Sequence, residues 1–394
     1  MGRILVLEPK WTGHYPNFAA MAALALLEKN HDVTLCLTSA GEDLTGGIPE
    51  QAEQAVRHRL EVRRSLPVIP KGYVPMQRAQ GEQELDLLLP EIRAMNPDHV
   101  VLPSVDAIAF ACGTGRRGKD LQDTPTFGCL HDAYIGHGGR GFRFAARRML
   151  ARLAFRRCGL SLGTVDPVAA AAGRTIGIRL LTHHPPIGQP DPGGETPDLG
   201  LTRPGRVVLV AGEHSPRKGT DRIIRAWPSP CPANATLLVA GRCGGQVRQA
   251  LAERQADVDA GGIVVLDQVL DNNTFRACFA AADCTVAVYP KPGPISGIVL
   301  QAAGMNLPVL GSREGALGLA IKHGGLGETI ASDSDAILEQ AMARVAESDP
   351  VVDSRQREAF NAWYSMENFA NDWRHWVLGK QTSSPAPLPS PYPS

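Results

Sequence analysis

The sequence lacks an excess of charge of either sign, a long apolar run and clustered cysteines. Its 394 residues carry 40 basic and 40 acidic side chains, so no overall field would attract nucleic acid. No stretch approaches the ~18 consecutive apolar residues that span a bilayer, and the apolar run after Arg3 is too short for a secretory signal. We therefore expect a cytoplasmic protein without a nucleic-acid partner and with at most a peripheral contact at the inner face of a membrane.

The cysteines show neither a CxxC motif nor a paired metal spacing. The eight of them are scattered, and several stand in apolar strand or helix contexts. Reduced thiols fit this pattern better than a disulfide framework. The spacing gives no reason to expect a structural metal, and we expect no metal or other cofactor.

The length and the alternating pattern favour two α/β domains. A chain of 394 residues exceeds a typical single domain. In the first half, short apolar runs predict buried strands and alternate with helical stretches at 17–29 and at Leu85–Met95, the latter kinked or restarted at Pro90. The predicted strands are Ile4–Leu7, Val33–Leu37, Val100–Leu102 and Thr126–Leu130.

A stretch dense in Pro and Gly, 188–206, predicts a linker between domain 1–187 and a second domain, 207–363. The Pro-rich end, 383–394, is typical of a disordered tail. The second domain repeats the alternation of strands and helices, which indicates another parallel sheet. Its predicted strands are Val207–Val210, Leu237–Ala240, Ile263–Leu266, Thr285–Val288 and Val309–Leu310.

The stretch 283–312 predicts a strand, a loop, a helix and another strand. Ser296 is a suitable cap for a helix over Gly297–Gly304. In such a unit the helix N-terminus directs its free amides, here those of Ser296, Gly297 and Ile298, at the carboxyl end of the strand. A phosphate is the usual ligand of that arrangement, although an ordinary α/β crossover with a Gly/Pro-rich loop fits the same pattern.

A second loop, 211–219, places Gly212 after a strand and Arg217-Lys218-Gly219 before a helix that starts near Thr220. Arginine and lysine at such a position can neutralise a diphosphate through charge-assisted hydrogen bonds. A solvated basic turn is the alternative interpretation.

The order and the amino-acid sequences of these segments over about 205–345 resemble the nucleotide-sugar site of GT-B glycosyltransferases, specifically the retaining family 4, the glycosyl transferases group 1. The resemblance implies two Rossmann-like, doubly wound domains facing a cleft, with a nucleotide-sugar donor on the second domain. It also implies transfer with retained anomeric configuration and without a metal. The acceptor would be a glycan, a lipid-linked sugar or a small molecule, bound by the first domain.

The sequence departs from the family at three positions. The family usually carries two glutamates eight positions apart, where this chain has Gly293 and Gln301. Glu213 stands where the family has a phosphate-binding arginine, so Arg217 would substitute for it, or Glu213 would bind a sugar hydroxyl. These departures leave two rivals, a non-catalytic sugar or nucleotide binder and a GT-B sugar-nucleotide epimerase.

The resemblance also assigns roles to further residues. It implies that Gly13 lies near the donor phosphate or acceptor, that His131 faces the transferred sugar, that Gln268 and Val269 contact the base, and that Gln301 still bonds ribose hydroxyls. A glycine needed only for a turn and a structural histidine are the plain alternatives for Gly13 and His131. A C-terminal helix, 364–380, would return to the first domain.

Between Arg140 and Arg157 the chain has seven arginines and no acid. A surface helix whose arginine stems cover apolar neighbours explains this composition. The alternative is a contact with an anionic membrane surface or a polyprenyl-phosphate acceptor.

Overall fold

The computed structural model describes residues 2–11, 15–28, 30–39, 57–68, 77–115, 117–121, 123–131, 135, 141–183, 197–291 and 293–379. The chain divides into two compact units. Unit 1 is Met1–His184 together with the segment that begins at Ser365, and unit 2 is Pro185–Tyr364. The predicted site residue Gly13, residues 188–196 of the predicted linker and the predicted tail lie outside the described residues.

The described part of unit 1 forms a seven-stranded sheet in the order β3-β2-β1-β4-β5-β6-β7. All of its strand pairs are parallel. The strands are β1 Gly2–Glu8, β2 His31–Thr38, β3 Leu60–Leu66, β4 His99–Leu102, β5 Thr126–Leu130, β6 Ser161–Thr164 and β7 Arg179–Leu180. The helices are α1 Tyr15–Leu26, α2 Arg78–Met95, α3 Asp106–Thr114, α4 Phe142–Arg157 and α5 Pro167–Gly173.

Unit 2 has a six-stranded sheet in the order β10-β9-β8-β11-β12-β13, again entirely parallel. Its strands are β8 Arg206–Ala211, β9 Ala235–Ala240, β10 Ile263–Leu266, β11 Cys284–Ala287, β12 Val309–Ser312 and β13 Gly327–Ile330. Its helices are α6 Thr220–Ala226, α7 Gly245–Glu253, α8 Gln255–Asp259, α9 Asn272–Ala280, α10 Gly297–Gly304, α11 Gly315–His323, α12 Asp335–Val345 and α13 Ser354–Trp363.

The last helix, α14 Met366–Leu378, belongs to unit 1. Its Trp373 is fully buried, and the Trp373 ring contacts that of Phe18 at 5.8 Å between centroids. The Asp372 carboxylate accepts a hydrogen bond from the Thr182 amide at 2.8 Å. Apolar packing and this buried bond together attach α14 to unit 1.

Both sheets reverse their strand order at one point. In unit 1 the reversal lies between β1 and β4, and in unit 2 between β8 and β11. The loops that leave these strand pairs run in opposite directions, which opens a crevice at the carboxyl edge of the sheet where ligands of this fold class bind. We call these two places switch point 1 and switch point 2.

The predicted restart of a helix at Pro90 is wrong, because the helix is continuous through this residue. Helix α2 starts seven residues earlier than predicted, at Arg78, and continues through Pro90 to Met95. Pro removes one amide donor from a helix but does not end it when packing holds both sides. The buried Leu85, Leu88 and Leu89 supply that packing.

All eight cysteines are unpaired thiols, and seven of them are buried. Burial raises the pKa of the Cys36 thiol to about 11 and that of Cys112 to about 12. Protonated thiols in these positions behave as small apolar side chains.

Candidate functional site

Switch point 2 begins with Gly212, the residue after β8. Its φ of +95° favours glycine, and a Cβ atom at this position would lie 2.4 Å from the Lys218 Nζ. The Lys218 ammonium therefore lies directly over the Gly212 backbone. A side chain at residue 212 would displace it.

The turn Pro216–Lys218 holds two cations over one aromatic ring. The Lys218 Nζ donates to the Ala211 carbonyl at 3.1 Å and lies 6.0 Å from the Tyr289 ring centroid. The Arg217 Cζ lies 5.5 Å from the same centroid. Neither cation forms an ion pair with a carboxylate of the described chain, so both charges remain available for an anionic ligand.

Arg217 is also close to Gly293. A Cβ atom at Gly293 would lie 3.7 Å from the Arg217 Nη1, which is an ordinary contact. The guanidinium thus lies beside the position at which the resembled family carries its first glutamate. A basic group faces this point of the site, and residue 293 supplies no acid.

Helix α10 begins at switch point 2 as predicted. The Ser296 hydroxyl accepts from the Ile298 amide at 3.3 Å and bonds the Tyr289 hydroxyl at 2.9 Å. Tyr289 is fixed in turn by Ser312, whose Oγ accepts from the Tyr289 amide at 2.6 Å. Because Ser296 caps it, the Ile298 amide is already used inside the protein. One of the three amides that were predicted to bind a phosphate is therefore not available for it.

The other residues that were predicted to bind the nucleotide-sugar donor lie around this edge of the sheet and differ in their exposure. The Glu213 carboxylate is paired with the Arg242 Nη2 at 2.7 Å. Gln268 and Val269 follow β10 and are exposed, Val269 by 66%. Gln301 is buried, with its amide nitrogen 3.1 Å from the Met305 sulfur, so a bond to a ribose would require another side-chain rotamer.

His214 was not predicted as part of the site. It is 1% exposed, its Nδ1 is bonded to the Thr220 hydroxyl at 3.0 Å, and its amide donates to the Arg242 carbonyl at 3.0 Å. Burial, followed by repulsion from Lys218, lowers the His214 pKa to about 4. The imidazole is therefore neutral at physiological pH, and it ties the cationic loop to α6 without adding charge.

Switch point 1 has a different character, because a buried carboxyl group joins its two strands. The Glu8 Oε1 accepts from the Ser104 hydroxyl at 2.7 Å and from the Lys10 amide at 3.0 Å. Burial raises the Glu8 pKa to about 7, although the Lys10 ammonium opposes the shift. Burial also raises the pKa of the neighbouring Glu84. Among the described residues the Glu8 Oε2 has no hydrogen-bond partner.

His131 follows β5 in the same unit and is 8% exposed. Its amide donates to the Asp106 carboxylate at 3.1 Å, and its Nε2 donates to the Pro103 carbonyl at 2.8 Å. Because a carbonyl only accepts, this bond places a proton on Nε2. The Phe18 ring lies at 4.8 Å. These contacts give His131 a structural role, and its predicted contact with a sugar stays a prediction.

Position at a strand end is the sequence signal that would have identified Tyr289, His214 and Glu8. Each follows or ends a buried apolar run, as His131 does. Their partners lie at very different distances along the chain, however: Thr220 is 6 residues from His214, whereas Ser104 is 96 residues from Glu8.

The described residues contain neither a metal-binding cluster nor a membrane-spanning helix. Within the described ranges, no group of three or more His, Cys, Asp or Glu residues could hold a metal ion. No helix of the described chain is long and apolar enough to cross a membrane.

Most of unit 2 is similar to a known protein family. Residues 205–348 match the family model of the glycosyl transferases group 1. The matched range contains every part of switch point 2, and it agrees with the resemblance to this family that the sequence shows over about 205–345. No curated protein matches the sequence.

Solved structures resemble the whole chain. Anabaena HepE in complex with UDP and glucose has 17% identity and a TM-score of 0.62, over 96% of this chain and 98% of that one. Sucrose-phosphate synthase from Thermosynechococcus elongatus has 14% identity and a TM-score of 0.67, over 94% of this chain and 96% of that one. A glycosyltransferase from Rickettsia africae has 12% identity and a TM-score of 0.62, over 95% of this chain and 98% of that one. The predicted fold, two Rossmann-like domains as in GT-B glycosyltransferases, is confirmed.

Proposed function

We propose that the chain transfers a glycosyl group from a nucleoside-diphosphate sugar, bound at switch point 2, to an acceptor. The observation that carries this proposal is the pair Lys218 and Arg217. Both are held over Tyr289, without a carboxylate partner in the described chain, at the edge where a parallel sheet of this order binds nucleotides. They lie within the residues that match the glycosyltransferase model.

The chemistry requires stabilisation of the leaving group. As the bond between the sugar C1 and the donor phosphate oxygen breaks, negative charge develops on the diphosphate. Lys218 and Arg217 would stabilise that charge as preorganised cations. A bond forms between C1 and the acceptor oxygen, and the acceptor proton passes to the leaving phosphate. The described residues of switch point 2 then need supply no base, which fits a retaining transfer.

The finer assignments belong to the same proposal. The resemblance to the retaining family 4 supports retention of configuration. The acceptor, a glycan, a lipid-linked sugar or a small molecule, would bind unit 1. The complexes of HepE with UDP and with UDP-glucose make uridine nucleotides the first donors to test.

A thermal-shift titration tests the donor site. A ligand that binds only the native state raises the melting temperature with the logarithm of its concentration over Kd. We expect stabilisation by one series of nucleoside diphosphates and their sugars. Lys218→Ala should weaken that binding about 10- to 100-fold, the usual size of a lost charged hydrogen bond. Lys322→Ala removes an exposed lysine of α11 in the same unit and serves as the control.

Two outcomes contradict the proposal at different levels. The absence of a shift with any nucleotide would exclude the donor site, and an equal effect of both lysine variants would place it elsewhere. When binding is established, chromatography of the donor after incubation with and without acceptors separates transfer from binding alone. NMR of the product's anomeric proton then tests retention.

Two observations favour a non-catalytic binder as the second candidate. Residue 293 supplies no acid to switch point 2, and the Glu213 carboxylate is paired with Arg242. Such a protein would show the thermal shift without turnover of any donor. An epimerase needs acid and base groups at the sugar, and the two candidates for them, His131 and Glu213, are bonded to the Pro103 carbonyl and to Arg242.

A further inference from the structure

Helix α4 exposes large apolar side chains to an unusual degree. In the described chain, nine large hydrophobic residues are exposed, and five of them belong to this one helix. They are Phe142 at 88%, Phe144 at 37%, Met149 at 70%, Leu150 at 47% and Leu153 at 43%.

Three of the exposed residues form a stripe on the side that faces away from the core, whereas Leu150 lies beside that stripe and Phe144 lies on the opposite side of the helix. With about 100° of rotation per residue, Phe142, Met149 and Leu153 fall on nearly the same line along the helix. Ala151 and Phe155 lie on the opposite side, buried in the core of unit 1. The helix thus has two apolar faces, one packed and one exposed. We call the exposed one the outer stripe.

Arginines flank the outer stripe. The helix carries no acidic residue, and Arg152 and Arg156 lie on one flank with Arg143 and Arg157 on the other. Arg152 donates to the Ala172 carbonyl at 3.1 Å. None of these arginines forms an ion pair with a carboxylate of the described chain. Arginine stems that cover apolar neighbours do not account for this pattern, because the stripe between them remains exposed.

This arrangement matches a helix that lies in a membrane interface. Such a helix inserts its apolar face into the boundary between headgroups and acyl chains, and its basic residues contact anionic lipids. With 16 residues and six arginines, α4 is too short and too charged to span a bilayer.

We propose that α4 docks unit 1 on an anionic lipid surface, with the outer stripe inserted and the flanking arginines at the headgroups. A second copy of the chain fits less well, because two such helices would oppose their arginines. A nucleic acid would pair with the arginines but would leave the apolar centre of the stripe without a partner. The proposal is independent of the donor site, which lies in unit 2.

Flotation of the full chain with vesicles tests the docking. We expect binding to phosphatidylcholine vesicles that contain phosphatidylglycerol, little binding to phosphatidylcholine alone, and weakening by salt. The triple variant Phe142→Ser, Met149→Ser, Leu153→Ser should lower the partition constant at least about tenfold. Arg143→Gln with Arg156→Gln should lower it about tenfold.

Matched controls are Val351→Ser and Arg355→Gln, which alter an exposed apolar residue and an exposed arginine of unit 2. They should bind vesicles as the natural protein does. All variants change exposed side chains, so their melting temperatures and their stabilisation by nucleotide should be unchanged. Nucleotide binding therefore reports the donor site and vesicle binding reports α4, and either can fail alone.

The proposal is overturned if the natural protein floats with neither kind of vesicle, or if the triple variant floats as well as the natural protein. It is equally overturned if sedimentation shows a dimer that the triple variant dissociates while vesicle binding stays unchanged. Binding of an oligonucleotide that requires the arginines, without vesicle binding, would also reject it in favour of a nucleic acid.

Discussion

Switch points 1 and 2 occupy the same place in two sheets of the same strand order, yet they differ in charge and exposure. At switch point 1 a buried carboxyl group, Glu8, is bonded to Ser104. At switch point 2 the cations Lys218 and Arg217 lie over Tyr289 without a described carboxylate partner. The topology supplies the crevice in both units, and the side chains decide its ligand. Among the residues that the structure describes, those of switch point 2 suit a diphosphate better than those of switch point 1.

Burial acts on both edges in the same physical sense. It disfavours the charged form of a group, so it raises the pKa of an acid and lowers that of a base. Accordingly the Glu8 pKa rises to about 7 and the His214 pKa falls to about 4. The two units should therefore respond to pH in opposite directions.

For unit 1 we expect a loss of stability as the pH rises. Below about pH 4.5, Glu8 is protonated in both the folded and the unfolded state. Between pH 4.5 and about 7, Glu8 is ionised in the unfolded state but still protonated in the folded state. The free energy of unfolding therefore falls by about 3 kcal/mol over this range. Hydrogen exchange of β1 and β4 amides, corrected for intrinsic rates, should show the decline. Glu8→Gln should remove it.

The matched control for this prediction is Glu367→Gln, which neutralises an exposed carboxylate of the same unit. It should keep the decline of the natural protein. A Glu8→Gln variant with the full pH dependence would show that Glu8 is ionised in the folded state throughout, and that Lys10 outweighs burial.

For unit 2 the corresponding prediction has the opposite sign. His214 is neutral in the folded state down to about pH 4, whereas its unfolded form charges below 6.5. The stability of unit 2 should therefore be intact above 6.5 and fall by about 3 kcal/mol as the pH drops to 4. Hydrogen exchange of β8 and β11 reports it. His214→Asn, which keeps a polar atom near the Thr220 hydroxyl, should reduce the fall. An unchanged fall would assign it to other groups.

The sequence predicted the buried strands and α10 well, because apolar runs and the cap at Ser296 are local signals. Strand β5 and helix α10 have the predicted bounds. It did not predict β3, Leu60–Leu66, in which exposed residues alternate with half-buried ones at the sheet edge. The site was predicted as a set of loops, but not as contacts. Arg217 and Gly293 are 76 residues apart, and no local pattern indicates that they meet.

A substitution at Gly293 tests its contact with Arg217, and its expected effect is the smallest of those predicted. Gly293→Glu would place a carboxylate beside the Arg217 Nη1, and the available space accepts a Cβ there. The new acid should pair with the exposed guanidinium and compete with a diphosphate for it. Because exposed ion pairs are weak, we expect only about two- to fivefold weaker binding of a nucleoside diphosphate, measured by calorimetry.

Gly293→Gln has nearly the same size without the charge and is the control for Gly293→Glu. Equal weakening by both variants would mean that Arg217 does not contact the phosphates and that the side chain simply obstructs the site. Tighter binding of the complete nucleotide-sugar by Gly293→Glu, with no change for the diphosphate, would mean that an acid at 293 accepts sugar hydroxyl bonds. The glycine at 293 would then account for the loss of one sugar contact relative to the sites of the resembled family.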